Sequence, residues 1–251
     1  MTNRWQKLIR SLHLKKNREE QNLFIVEGKK SIIELLYSDF QIEVLFITEE
    51  FSIEHSQKLR KKEFEVVVCK QSLLEQVGTL QTNDSGIAIV KIPQWDYPIH
   101  LQALSLILDD IKDPGNLGTI VRLADWFGIS QIICSPQTTD FFAPKVILST
   151  MGSFTRTKVY YTDLQNFIKK LDRNTFEIWG GFMQGLDIHK FRPQKKVILV
   201  IGSESHGISP QIEALLDGKL TIPRLGKAES LNAAMACGIM CDQICNQMQL
   251  S

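Results

Sequence analysis

Five polar residues of this 251-residue chain stand where side-chain chemistry is to be expected. Asn116 sits in a turn, Asp113-Pro114-Gly115-Asn116, between the apolar stretch Leu104–Leu108 and a helical pattern, where an asparagine can cap free backbone N–H groups. Arg122 follows on that helix among Ile120, Val121 and Leu123; a cation in such company needs a phosphate, a carboxylate or a carbonyl, and a structural ion pair would serve as well as a ligand. Glu204 closes the loop Gly202-Ser203-Glu204 after the apolar run Val197–Ile201, at the carboxyl end of a strand, where open α/β sheets place their ligands. Ser230 and Asn232 flank Leu231 at the opening of a long helix of small residues, just beyond a short strand, Leu220–Ile222, that stops at Pro223. An arginine able to grip an anion, a carboxylate at a sheet's ligand edge and two capping residues are candidates on three separate segments, and ordinary strand–loop–helix units would carry the same residue types.

Three strand–loop–helix stretches must position these residues: Leu104–Ile129, Val197–Ser209 and Lys219–Cys245. In this order they resemble the three motifs of the SpoU/TrmH family of RNA ribose 2′-O-methyltransferases, within the SPOUT superfamily. The likeness runs from Leu104 to the C-terminus, and a weaker similarity covers the N-terminal part. It implies a C-terminal α/β domain with a mainly parallel sheet and a deep trefoil knot, a homodimer formed through the knotted domain, and S-adenosylmethionine as cofactor. It implies catalytic roles for Asn116, Arg122, Glu204, Ser230 and Asn232, and a cofactor site formed by Gly181, Ile201, Gly202, Ile222, Pro223 and Leu231. A strand Phe176–Trp179 ending at Gly180-Gly181 would put that loop against the cofactor, and Gly202 suits close approach of a ligand to backbone. Relatives carry a lysine comparable to Lys145, which makes it a candidate phosphate contact. Two departures stand out: Ser205 and His206 precede Gly207 where the family commonly has Gly directly after the Glu, and Ala233-Ala234-Met235-Ala236 replaces a stretch with Val and Ser.

The implied reaction moves a methyl group to a ribose 2′-hydroxyl of ribosomal or transfer RNA. A guanidinium is always protonated, so Arg122 is a poor base and a better phosphate holder, leaving the substrate phosphate or Glu204 to take the hydroxyl proton.

Residues 1–95 read as a small α/β domain and 96–251 as the methyltransferase domain. Apolar Trp5, Leu8, Ile9 and Leu12 mark a helix over 3–21; a strand at Leu23–Val26, a helix through Leu36, a strand at Ile42–Thr48 and a helix over Ser52–Lys62 follow. Strands at Glu65–Cys69 and Gly86–Val90 bracket a short helix, Gln71–Val77, and the proline-containing Lys91–Leu101 reads as a connector. This half is similar to the small substrate-binding domain that often precedes the SpoU catalytic domain, which implies that it grips RNA. Residues 1–30 hold eight cations against three carboxylates, with Arg4, Lys7, Lys15 and Lys16 as candidate RNA contacts; a solvated helix face is the plainer reading.

Net charge is only +1, so no strongly basic footprint marks the chain as a whole. No apolar run reaches the ~18–20 residues of a membrane helix. Five cysteines, an odd count, suit reduced thiols and a cytoplasmic location. Cys237, Cys241 and Cys245 share one helix face without a histidine, which suits packing and not metal. Neither a G-x-G-x-x-G fingerprint nor a P-loop occurs, which argues against a dinucleotide oxidoreductase and against nucleotide hydrolysis. The remaining alternative is a catalytically inactive RNA-binding protein of the same fold.

Overall fold

The computed structural model describes residues 1–59, 63–95 and 100–249. The chain divides into two compact units, Met1–Asp96 with Asp140–Thr155, and Tyr97–Thr139 with Arg156–Ser251. Residues 140–155, taken from the sequence as part of the second domain, thus belong to the first compact unit. The connector reading of Lys91–Leu101 falls partly on residues 96–99, outside the described residues.

The first unit runs α1 (Asn3–Ser11), α2 (Lys15–Gln21), β1 (Leu23–Glu27), α3 (Lys29–Leu36), β2 (Ile42–Ile47), α4 (Glu49–Glu54), α5 (Ser56–Leu59), β3 (Glu65–Val68), α6 (Gln71–Val77) and β4 (Gly86–Lys91). Its four-stranded sheet has the order β1-β4-β2-β3, with only β2 and β3 parallel. Ile9, Leu12, Ile25, Phe46, Leu74 and Ile89 form its core.

The single helix expected over 3–21 is two. The chain breaks after α1, and the carbonyls of Leu12 and His13 released there accept from Arg18 Nη1 at 2.8 and 3.0 Å. No proline or glycine marks the break, so the apolar spacing runs through it unnoticed. The helix expected over Ser52–Lys62 starts earlier, at Glu49, because Thr48 caps it by accepting from Phe51 N at 3.2 Å; it is split into α4 and α5, and residues 60–62 lie outside the described residues.

The later segment returns to this unit as α8 (Pro144–Ser149), packed on β1. Phe142 and Phe154 meet the ring of Phe24 at centroid distances of 4.8 and 6.3 Å, and Asp140 pairs with Arg18, whose side chain is only 4% exposed.

The second unit holds β5 (Leu104–Asp109), α7 (Pro114–Trp126), β6 (Gln131–Cys134), β7 (Lys158–Tyr161), α9 (Leu164–Lys169), β8 (Phe176–Asp187), β9 (Lys196–Gly202), α10 (Pro210–Glu213), β10 (Gly218–Thr221) and α11 (Ala233–Met248). Its six strands run in the order β10-β8-β9-β5-β6-β7, every pairing parallel, as the alternation of apolar runs and helices predicts. The central strands β9 and β5 are almost entirely buried, so their carboxyl ends are rigid supports for loops.

Gly180-Gly181 does not end its strand. β8 continues to Asp187, and its pairing with β10 jumps from Lys219↔Gly180 to Leu220↔Leu186, so Gly181–Gly185 leave the ladder as an excursion. Adding a Cβ at Gly185 would bring it to 2.5 Å from the Lys219 carbonyl oxygen, so this tight return requires glycine.

Among the described residues, no helix is long and apolar enough to cross a membrane, and no group of His, Cys, Asp and Glu could hold a metal ion. Cys237 and Cys241 are buried in α11 with their sulfurs 3.9 Å apart, and the hydrogen bond to Cys237, reinforced by burial, raises the Cys241 thiol pKa well above its ordinary value.

Candidate functional site

The site begins with three helix and strand ends that the local sequence dictates. Pro114 occupies the first turn of α7, where its missing N–H costs nothing, and Asp113, not Asn116, is the cap: its Oδ1 accepts from Asn116 N at 2.8 Å. That frees the Asn116 side chain, which is buried at 7% exposure. At the start of α11 the cap is Asn232, whose Oδ1 accepts from Ala234 N at 3.0 Å and from Met235 N at 3.2 Å. Ser230 lies outside the helix, exposed and without a hydrogen bond among the described residues.

Glu204 joins these ends. Its Oε1 accepts from Asn116 Nδ2 at 2.8 Å, Asn232 Nδ2 at 3.0 Å and Ala233 N at 3.3 Å, while Asn232 Nδ2 also donates to Asn116 Oδ1 at 2.7 Å. One carboxylate oxygen thus locks three segments together by charge-assisted bonds. Among the described residues, Glu204 Oε2 accepts none.

The loop that carries Glu204 is fixed by the chain's own backbone. Ser203 and Gly207 exchange both backbone bonds, at 3.0 and 2.8 Å, and Ser205 N donates to Ser203 Oγ at 3.2 Å. The left-handed residue of this turn is Gly207, with φ +69°, so Ser205 is accommodated where the resemblance leads one to expect glycine. A Cβ on Gly202 would lie 2.2 Å from Gly207 C and 2.3 Å from Ile208 N. Gly202 is therefore required by the return of its own loop, a demand beyond the close ligand approach expected of it. Asp109, at the end of β5, anchors the far side by accepting from Ser209 N at 2.8 Å.

A cavity of about 730 Å3 opens beside this cluster. Gly181, Ile201, Gly202, Ile222, Pro223 and Leu231, the six residues singled out from the sequence as cofactor contacts, all line it, as do Glu204 and Ser230. Gly181 lines it from the β8 excursion, not from a strand end, and a Cβ there would sit 3.1 Å from Met240 Sδ. Sequence reading missed Phe182, Met183, Lys219 and Met240, which also line the cavity, as does His206, singled out there only as a departure from the family loop. The glycines at 180, 181 and 185, too many for an ordinary strand, are the signal that could have found the excursion.

Arg122 stands apart. It is exposed on α7, does not line the cavity, and makes no hydrogen bond or ion pair among the described residues. Six residues beyond Asn116, it is turned about 240° around the helix axis, so the two side chains leave different faces. The structural ion pair that the sequence left open for it is absent among the described residues.

In the first unit, Arg4, Lys7 and Arg10 lie exposed along α1, which has no acidic residue. Lys15 and Lys16 each face a carboxylate one turn on, Glu19 at 3.6 Å and Glu20 at 3.7 Å. Lys145 is exposed on α8.

The chain belongs to the SpoU rRNA methylase family, which matches residues 103–242, and residues 3–88 match the MRM3-like substrate binding domain. It is 26% identical over 237 residues to a Bacillus subtilis 23S rRNA (guanosine(2553)-2′-O)-methyltransferase, covering 94% of this chain and 92% of that protein. An AdoMet-bound rRNA methyltransferase from Sinorhizobium meliloti matches with a TM-score of 0.86 at 29% identity, over 100% of this chain and 97% of the other. The AdoMet-bound SpoU methyltransferase AviRb from Streptomyces viridochromogenes shares the fold, with a TM-score of 0.87 at 24% identity and complete coverage of both chains.

Proposed function

We propose that this protein is an S-adenosylmethionine-dependent RNA methyltransferase that modifies a ribose 2′-hydroxyl, with ribosomal RNA as substrate. The observation that carries the reading is the Asn116–Glu204–Asn232 cluster beside a cavity lined by all six candidate cofactor residues. Its volume falls within the ~300–1000 Å3 of small-molecule sites. Its lining suits the cofactor: Ile201, Ile222, Leu231 and Met240 offer apolar contact, and Glu204 offers negative charge to a sulfonium. When bound, the cofactor supplies an electrophilic methyl group.

The residues of the chain then orient the nucleophile and receive its proton. Arg122 points away from this protomer's cavity, so in the proposed homodimer it holds a substrate phosphate through its planar fork at the site of the other copy, setting the 2′-hydroxyl there. Asn116 and Asn232 hold Glu204 Oε1, leaving Oε2 with free lone pairs to accept the hydroxyl proton; the substrate phosphate is the other acceptor. Ser230 offers the ribose a hydrogen bond at the cavity rim. Glu204→Gln decides between the acceptors, since it keeps an oxygen for the cluster and removes the base.

Residues 1–95 act as the substrate-RNA domain and 96–251 as the methyltransferase domain, save that residues 140–155 complete the first unit. Arg4 and Lys7, with Arg10, offer unneutralised charge to phosphates; Lys15, Lys16 and Lys145 are weaker or more isolated contacts. The reading includes the trefoil knot, a homodimer and a cytoplasmic location. The packing of α11 back onto α7, β9 and β5 supports the knot, and the exposure of Trp126 on α7 and Met235 on α11 (83% and 60%) supports a partner surface.

The test is transfer of labelled methyl from S-adenosylmethionine to ribosomal RNA lacking the modification, with the product mapped for a single 2′-O-methyl mark. Transfer that Arg122→Ala abolishes, with RNA affinity retained, is the expected result. Cofactor-dependent transfer to no RNA, with RNA binding intact, would instead make the chain a catalytically inactive RNA-binding protein.

A further inference from the structure

The excursion of β8 is the part of the cavity wall least explained by the sheet. Five residues, Gly181–Gly185, leave the ladder, and Phe182, Met183 and Gln184 between the glycines all line the cavity. Glycines bound it on both sides, and a Cβ at Gly180 would meet the Phe182 ring at 2.6 Å. Glycine restrains φ and ψ least, so the backbone of this segment does little to fix the ring, which packs at the margin of the core that includes Ile208 and Ile212.

Two side chains of β10 add to that restraint. Thr221 Oγ1 donates to Met183 O at 3.1 Å. Lys219 Nζ lies 4.6 Å from the centroid of the Phe182 ring and is also ion-paired with Glu213 of α10. An ammonium over an aromatic face is attracted by the ring quadrupole. Lys219 itself lines the cavity, so it brings a positive charge toward a site proposed to take a cationic sulfonium. Glu213 answers that charge locally, and this lets a lysine serve where an unpaired cation would oppose the ligand.

We infer that Lys219 is a positioning residue for the cofactor cavity: its Glu213-neutralised ammonium clamps the Phe182 ring and thereby fixes the β8 excursion as the wall against which S-adenosylmethionine binds. The inference rests on the cofactor reading of the cavity. Lys219 acts through Phe182 and contributes no attraction of its own to the ligand.

Titration calorimetry on the full-length protein tests it with two ligands, S-adenosylmethionine and S-adenosylhomocysteine, which lacks the sulfonium charge. Lys219→Met, which keeps the aliphatic stem and loses the charge, is expected to raise both dissociation constants by the same factor, on the order of fivefold, given exposed cation–π energies. Lys219→Arg keeps a cation over the ring and is expected to restore most of the affinity. In a Phe182→Leu background, Lys219→Met is expected to add almost nothing, because residues acting through one contact are not additive. Three results would each overturn the inference. Lys219→Met could bind S-adenosylmethionine more tightly while leaving S-adenosylhomocysteine unchanged, which would make Lys219 a charge effect. The Lys219→Met and Phe182→Leu losses could simply multiply. Or Lys219→Met could bind like wild type. Failure of the wild-type protein to bind either ligand would remove the cofactor reading itself, and the clamp with it.

Discussion

The two compact units present their candidate functional residues in opposite ways. In the second, Asn116, Glu204 and Asn232 come from three distant segments and are bonded to one another, so each side chain has one orientation. In the first, Arg4, Lys7 and Arg10 follow one another along a single helix, exposed and, among the described residues, joined to no common cluster, with only Arg4 resting near a ring, that of Trp5. A bonded cluster loses its geometry when one member goes. A row of exposed charges loses one increment at a time. On the proposed division of roles, that contrast would make chemistry in the second unit sensitive to single atoms and RNA contact in the first unit graded.

The sharpest exception within the first unit is Arg18, one of the eight cations of residues 1–30. Its side chain is buried, paired with Asp140 at 2.5 Å and bonded to the Leu12 and His13 carbonyls. Arg18→Met leaves the Asp140 carboxylate and two carbonyls without their donor, and breaking a buried pair costs about 3–5 kcal/mol. Urea unfolding is expected to show that loss, and pairing Arg18→Met with Asp140→Leu should recover much of it. Full stability in the single variant would deny that residues 140–155 are integral to this unit.

Within the cluster, Asn116→Ala removes one donor to Glu204 and one acceptor from Asn232. Loss of a single preorganised donor typically lowers turnover by ~100- to 1000-fold, and a fall of that size in kcat is expected with the chain still folded. Gly202→Ala is the next smaller effect. Its Cβ would strike the backbone of Gly207 and Ile208, not a flexible side chain, so the loop must shift at a cost of roughly 1–3 kcal/mol. Calorimetry should register weaker S-adenosylmethionine binding; wild-type affinity would mean that the loop yields freely.

The parallel sheet and most element positions were legible because apolar runs of strand length end at polar loops, whereas the six cavity residues were named only through the resemblance to the SpoU/TrmH motifs. What stayed hidden depends on contacts between distant residues. The break between α1 and α2 is stabilised by Arg18, which no local pattern announces. The role of Gly202 arises from a loop that folds back five residues later. The Gly181–Gly185 excursion is set by pairing with β10, more than thirty residues downstream. Asp113 and Asn116 were both possible caps, and only the buried bond from Asn116 to Glu204 separates their tasks.

The smallest expected effect probes the graded unit directly. If α1 meets RNA phosphates, each of Arg4→Gln and Lys7→Gln releases fewer counterions on binding, and the slope of log affinity against log salt should become shallower by about one per contact. Lys15→Gln and Lys16→Gln should change the slope by much less, because Glu19 and Glu20 already stand one turn away at 3.6 and 3.7 Å. Exposed pairs of this kind are weak, about 0.3–0.5 kcal/mol, so their lysines are not silenced, only partly answered. The comparison therefore turns on rank, with the α1 variants ahead of the α2 variants at every salt concentration. Equal slopes for all four would mean that RNA senses the net charge of the unit and not a face of α1. Steeper loss at Lys15 and Lys16 would move the contact to α2, where forming it would require the lysines to exchange their carboxylates for phosphates.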